Sequence, residues 1–82
     1  MSEQGLDSDL VRMANQIARQ SSNLPDDEAA GLVAHHLHRF WEPRMLAGLT
    51  AHAAASPDDL DPVVLTAVAI LAERYGVATT AS

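Results

Sequence analysis

His35, His36 and His38 fall within one helical turn of each other, and Glu42 follows His38 by four residues. Positions three and four apart share a helix face, so His35 with His38, and His38 with Glu42, are pairs that zinc or another transition metal could bridge. The chain offers no matching second half-site, however, and Pro43 puts Glu42 at a break in the helix. The same histidines equally fit surface or packing roles, with His36 at the edge of an apolar line. No metal site is therefore assigned, and His35 and His38 are the residues that would form one. Acid–base chemistry has less to build on. There is no Gly-rich phosphate loop and no Ser–His–Asp arrangement in a recognisable context. His52 with Asp58 or Asp59 reads as a solvated loop neighbourhood, and the absence of cysteine removes thiol catalysis and thiolate metal sites. No catalytic residue is assigned.

The residues that follow the histidines point to recognition. The run from His35 to Met45 holds three of the four histidines, two of the three aromatic residues and two of the five positive charges. Trp and Arg are enriched among the residues that dominate protein–protein binding, where one anchor is worth about 2 kcal/mol or more. Pro43 disfavours helical geometry at Glu42, so the chain turns a corner there and presents side chains on a rigid bend. Phe40 is expected to pack inward, and Trp41 and Arg44 to meet a partner. The internal alternative places Trp41 in the core and pairs Arg44 with an acid such as Glu42.

Composition narrows the setting. Eighty-two residues make one domain. A chain of this size buries only about 60–65% of its unfolded surface. Without disulfides it needs well-packed helices, self-association or a larger partner. Eleven acids against five arginines and no lysine give a net charge of −6. That field repels phosphate backbones and anionic membranes, so neither nucleic acid nor a membrane is expected as a partner. The first residues are polar and acidic, unlike a signal peptide. The longest apolar run, Ala67–Ala72, is too short to span a bilayer. A cysteine-free chain fits a reducing compartment, and the expected location is cytoplasmic.

The elements that must position these residues are helices, because apolar positions recur at helical spacing and never alternate as in a strand. The predicted fold is all-α, a small bundle of four short helices. Residues 1–8 read as a flexible N-terminus, 9–76 as a single helical domain and 77–82 as a flexible tail. Helix one is capped by Asp7 or Ser8 and buries Leu10, Met13, Ala14 and Ile17. Helix two starts at Pro25, ahead of three acids that suit the positive end of the helix dipole. It buries Val33, Leu37 and Phe40, with Ala30 and Trp41 alongside, and ends near Phe40 or Trp41. Pro43 opens helix three, which carries Met45, Leu46 and Leu49 to about Ala54. Asp61-Pro62 opens helix four, with Val64, Val68, Leu71 and Tyr75 inward and Gly76 as the C-terminal cap. A second line on that helix, Val63, Ala67 and Ile70, would serve either the same core or a homo-oligomer formed in isolation. Gly31 and Gly48 sit within helices, each costing about 1 kcal/mol relative to alanine, either to admit a close backbone or incidentally.

Two stretches carry a family resemblance: Leu10-Val11-Arg12-Met13-Ala14-Asn15-Gln16-Ile17 and His36-Leu37-His38-Arg39-Phe40-Trp41-Glu42-Pro43-Arg44-Met45. Together, with an acidic Pro-containing turn between them, they resemble the delta subunit of the soluble, NAD-dependent, molybdenum-containing formate dehydrogenases. The Leu60-Asp61-Pro62-Val63-Val64 start of the last helix is similar to that family's closing segment. The similarity runs from Leu10 to Leu71. It departs at Arg19-Gln20-Ser21-Ser22, where the family often has aromatics, and at Leu46, where it often has a basic residue.

The resemblance implies a helical accessory subunit that is not itself an enzyme. It would dock on the large catalytic subunit of a cytoplasmic complex that oxidises formate and reduces NAD, supporting assembly or stability. It further implies that the molybdenum–pterin cofactor, the iron–sulfur clusters and the flavin (FMN) belong to partner subunits. The functional surface then falls on Asn15, Arg39, Trp41, Pro43 and Arg44. Trp41 would be the anchor, and Pro43 would set the corner. Arg44 would be a fixed charge able to hold a carboxylate through two bonds, and Asn15 would give directional polar contacts. Two other readings stay open: a maturation chaperone for molybdenum-cofactor insertion, and a self-associating helical protein that binds metal through His35 and His38.

Overall fold

A chain whose apolar residues recur only at helical spacing must bury them by packing helix on helix. The computed structural model describes residues 2–76, with side-chain surroundings from Asp9 onward. It contains α1 (Ser2–Gln20), α2 (Asp26–Phe40), α3 (Pro43–Ala55), a 3-10 turn (Pro57–Asp59) and α4 (Pro62–Arg74). No strand occurs among the described residues, and the fold is the expected all-α bundle. The tail expected at 77–82 lies outside the described residues.

α1 starts earlier than its capping signals suggest. No proline interrupts the backbone between Ser2 and Asp9, so the hydrogen-bond ladder runs through Asp7 and Ser8, which lie inside the helix instead of capping it. The other boundaries follow local chemistry. Three acids, Asp26, Asp27 and Glu28, occupy the first turn of α2 just after Pro25. Pro43 is the first residue of α3, where its missing N–H leaves no bond unmade. The Val63 N–H donates to Asp61 Oδ1 at 2.9 Å, which caps α4 ahead of Pro62. Gly76, at φ 69°, takes the left-handed conformation that ends α4.

The core takes one stripe from each helix. α1 supplies Leu10, Ala14 and Ala18; α2 supplies Val33, Ala34 and Leu37, with Trp41 just past its end. α3 adds Leu46 and Leu49, the following loop adds Leu60, and α4 adds Val64, Ala67 and Leu71. α2 and α4 form the most extensive pairing. Ala34 and Ala67, both fully buried, belong to the same core cluster, and residues this small let neighbouring helices pack closely. Thr50 is buried with its hydroxyl donating to the Leu46 carbonyl at 2.8 Å, so its polar group has a partner. One expectation is corrected in α4. Ala67 belongs to the core, whereas Val68 is only half-buried, and Val63 and Ile70 pack against that same core.

Gly31 does not admit a close backbone: a Cβ built there meets no atom within 4 Å, and its φ is not positive. The glycine therefore only adds freedom to the unfolded chain. Gly31→Ala is expected to stabilise the protein by about 1 kcal/mol. For a domain of this size that raises the thermal midpoint by roughly 4–8 °C, measurable by circular dichroism.

Candidate functional site

The two aromatic residues at the end of α2 exchange their expected places. Trp41 is 7% exposed and packs in the core cluster, whereas Phe40 is 65% exposed. Trp41 is the C-cap residue, with extended backbone (φ −95°, ψ 142°) and its N–H donating to the Leu37 carbonyl. Leaving the helix at this point turns its ring back over the bundle. The assignment of Phe40 to the core is thus corrected, and Trp41 cannot act as a freely exposed anchor.

Phe40 faces outward with Leu32, which is 52% exposed. Together with His35, His36 and Arg39, and with Ile17 from α1, they line a hollow of about 340 Å³ between the end of α1 and the outer face of α2. The Phe40 ring is flanked on both sides. The His36 ring lies 4.8 Å away between centroids, tilted by 45°, and the Arg39 guanidinium carbon is 5.7 Å from the ring centre. A cation over an aromatic face is attracted by the ring's quadrupole, so Arg39 and Phe40 restrain one another. The sequence signal for this face is the four-residue spacing of Leu32, His36 and Phe40, a line parallel to the core stripe.

Past the corner, Pro43 and Arg44 are both exposed. Arg44 occupies the first turn of α3, the positive end of the helix dipole, and that turn contains no acid. A cation there is disfavoured. Among the described residues Arg44 has no ion-pair partner, so the internal alternative, a pairing with Glu42, does not form. A second hollow, of about 410 Å³, opens beside the corner, lined by His38, Trp41, Pro43, Leu46 and Tyr75. In it the His38 ring stacks on Tyr75 at 4.2 Å, with 22° between the planes. Among the described residues no group of three or more His, Cys, Asp or Glu gathers where a metal ion could be held, so His35, His38 and Glu42 do not converge.

Asn15 does not reach outward. Its Nδ2 donates to the Asp59 carbonyl at 3.0 Å, and its Oδ1 accepts from the Asp61 N–H at 2.9 Å. Both ends of the amide are used on backbone groups that flank Leu60, a buried core residue. The same loop is held from the other side, where His52 Nε2 donates to Asp59 Oδ2 at 2.9 Å. The Pro57–Asp59 turn is therefore fastened to α1 through Asn15 and to α3 through His52, while Asp61 caps α4. The sequence pairs His52 with Asp59 only as loop neighbours, and nothing in it links Asn15 to a segment more than forty residues away. His52 and Asp59 form a structural tie.

Among models of known protein families, that of the NADH-dependent formate dehydrogenase delta subunit FdsD matches residues 9–68. No curated protein and no solved structure matches the chain.

Proposed function

Because this chain belongs to the NADH-dependent formate dehydrogenase delta subunit family, we propose that it is an accessory subunit that docks on the large catalytic subunit of that enzyme and supports assembly or stability of the complex. The observation that carries this reading is the extent of the match. Residues 9–68 take in α1 from Asp9, all of α2 and α3, the loop clamped by Asn15 and the start of α4. Reaction chemistry belongs to the partner subunits in this reading, in the cytoplasm. A chain without cysteine has no thiolate to offer an iron–sulfur cluster. The molybdenum–pterin cofactor, the clusters and the flavin are left to those subunits in this proposal, as the family resemblance implies.

Arg39, Pro43 and Arg44 are the contact residues in this proposal. Arg44 supports it most directly. A lone cation at the wrong end of a helix opposes local electrostatics, and such conflicts concentrate at functional positions. Trp41 and Asn15 act from within the fold, Trp41 by fixing the corner and Asn15 by fixing the loop. Among the described residues no helix is long and apolar enough to cross a membrane.

Co-purification tests the reading. The tagged chain, expressed in its own cell, should bring down a large molybdenum- and iron–sulfur-containing subunit in stoichiometric amount, with formate-dependent reduction of NAD. Recovery of the chain alone, or with an unrelated partner, would overturn it. Absence from the active enzyme, combined with cofactor-free enzyme in a deletion strain, would replace a permanent subunit with a maturation chaperone.

A further inference from the structure

Leu32 and Phe40 are the large apolar side chains left exposed among the described residues, and both line the hollow between the end of α1 and α2. A single exposed phenylalanine is ordinary on a protein surface. This one is restrained before anything binds, with the His36 ring on one side and the Arg39 guanidinium over its face. Four-residue spacing keeps Leu32, His36 and Phe40 on one line of a helix, which gives the patch a fixed shape. A side chain ordered in advance loses little freedom when it is covered, so more of its contact energy appears as affinity.

Charge identifies the kind of partner. The chain has a net charge of −6. Yet among the described residues no carboxylate lines this hollow, whereas Arg39, His35 and His36 do. Gln20 and Ser21 complete the lining, and an acid-free patch that mixes apolar side chains with a permanent cation complements a surface that is apolar and negatively charged. A second copy of this chain fits poorly, because pairing this face with itself would set one Arg39 near another and offer no carboxylate to either.

We infer that this face of α2 docks an acidic, apolar protein surface on another subunit of the dehydrogenase. That surface seats an aliphatic or aromatic side chain beside Phe40 in the hollow and presents a carboxylate to Arg39. The inference rests on the subunit reading above and adds to it the face used and the chemistry of the partner.

The test uses the full chain, tagged and expressed in its own cell in place of the untagged copy, with the variants Phe40→Ser, Arg39→Glu and Arg74→Ser. Co-purifying dehydrogenase is quantified, and each purified chain is melted and sized. Wild type and Arg74→Ser should recover equal amounts of dehydrogenase. Phe40→Ser and Arg39→Glu should weaken capture by about tenfold or more, the scale of losing an interface anchor. Their thermal midpoints should stay close to wild type, because both side chains are exposed. Undiminished capture by both variants overturns this face and leaves the subunit reading standing. A wild-type chain that recovers no dehydrogenase overturns the subunit reading, and this assignment with it. A wild-type dimer that Phe40→Ser turns into monomers overturns the choice of partner in favour of a second copy.

Discussion

Trp41→Ala should cost roughly 3–5 kcal/mol of stability, the range for truncating a buried aromatic. The side chain is 7% exposed and packs with Leu37, Leu46 and the rest of the core cluster. A domain of this size has only about 5–15 kcal/mol in total, so one such change removes a large share of its margin. At roughly 4–8 °C per kcal/mol for small domains, the thermal midpoint should fall by more than about 10 °C. Urea unfolding followed by circular dichroism measures the effect directly. Trp41→Phe should recover much of the loss, because it refills most of the space with a ring of lower volume. An unchanged midpoint in Trp41→Ala would show that the ring is not held in the core. The prediction also bears on partner binding, since a Trp41→Ala variant that captures no dehydrogenase has failed by unfolding unless its midpoint is preserved.

The second large effect is expected at Asn15. Asn15→Ala removes the donor to the Asp59 carbonyl and the acceptor for the Asp61 N–H. A lost hydrogen bond that leaves its partner unsatisfied costs about 1–3 kcal/mol, and here two partners lose their bond to one amide. Because both groups border water, the combined loss is expected to be about 2–3 kcal/mol, with Leu60 loosened from the core. Asn15→Asp separates the two bonds. A carboxylate still accepts from the Asp61 N–H but cannot donate to the Asp59 carbonyl. It also places a negative charge in a surface hollow lined by Asp58, Asp59 and Asp61 but equally by Arg12 and Arg19. Asn15→Asp should therefore be less destabilising than Asn15→Ala, by about the cost of the one bond it keeps. An Asn15→Asp variant as stable as wild type would mean that the donor side of the clamp contributes nothing.

The fold was most legible where a boundary depends on neighbouring residues alone. Pro43 sets the start of α3, Asp61-Pro62 sets the start of α4, and Gly76 ends it, each through backbone chemistry confined to one turn. The exchange of Phe40 and Trp41 was not legible, because it turns on what lies beside α2. Successive residues lie about 100° apart around a helix, so one of the pair joins the buried stripe at the cost of the other. Ala30 and Ala34 offer a clue. These small buried residues lie on one flank of the Val33–Leu37 line, and at about 100° per residue Trp41 falls on that same flank while Phe40 falls on the other. The family-like motif around the corner was likewise visible, but its most conspicuous residue stabilises the fold while the plainer Leu32 and Phe40 face solvent. Asn15 was singled out for a polar role but given the wrong recipient. Nothing within one turn of it reveals that its partners are Asp59, at the end of the 3-10 turn, and Asp61, just past it.

The Asn15 clamp also governs when the molecule becomes whole. Its two bonds join positions 44 and 46 residues apart. They can close only after α1 and the loop before α4 have met, and that meeting carries the entropy of closing a long loop. The helices and the adjacent α2–α3 corner can form from near neighbours well before then. Asn15 thus favours only those chains in which both ends of that long loop have already come together.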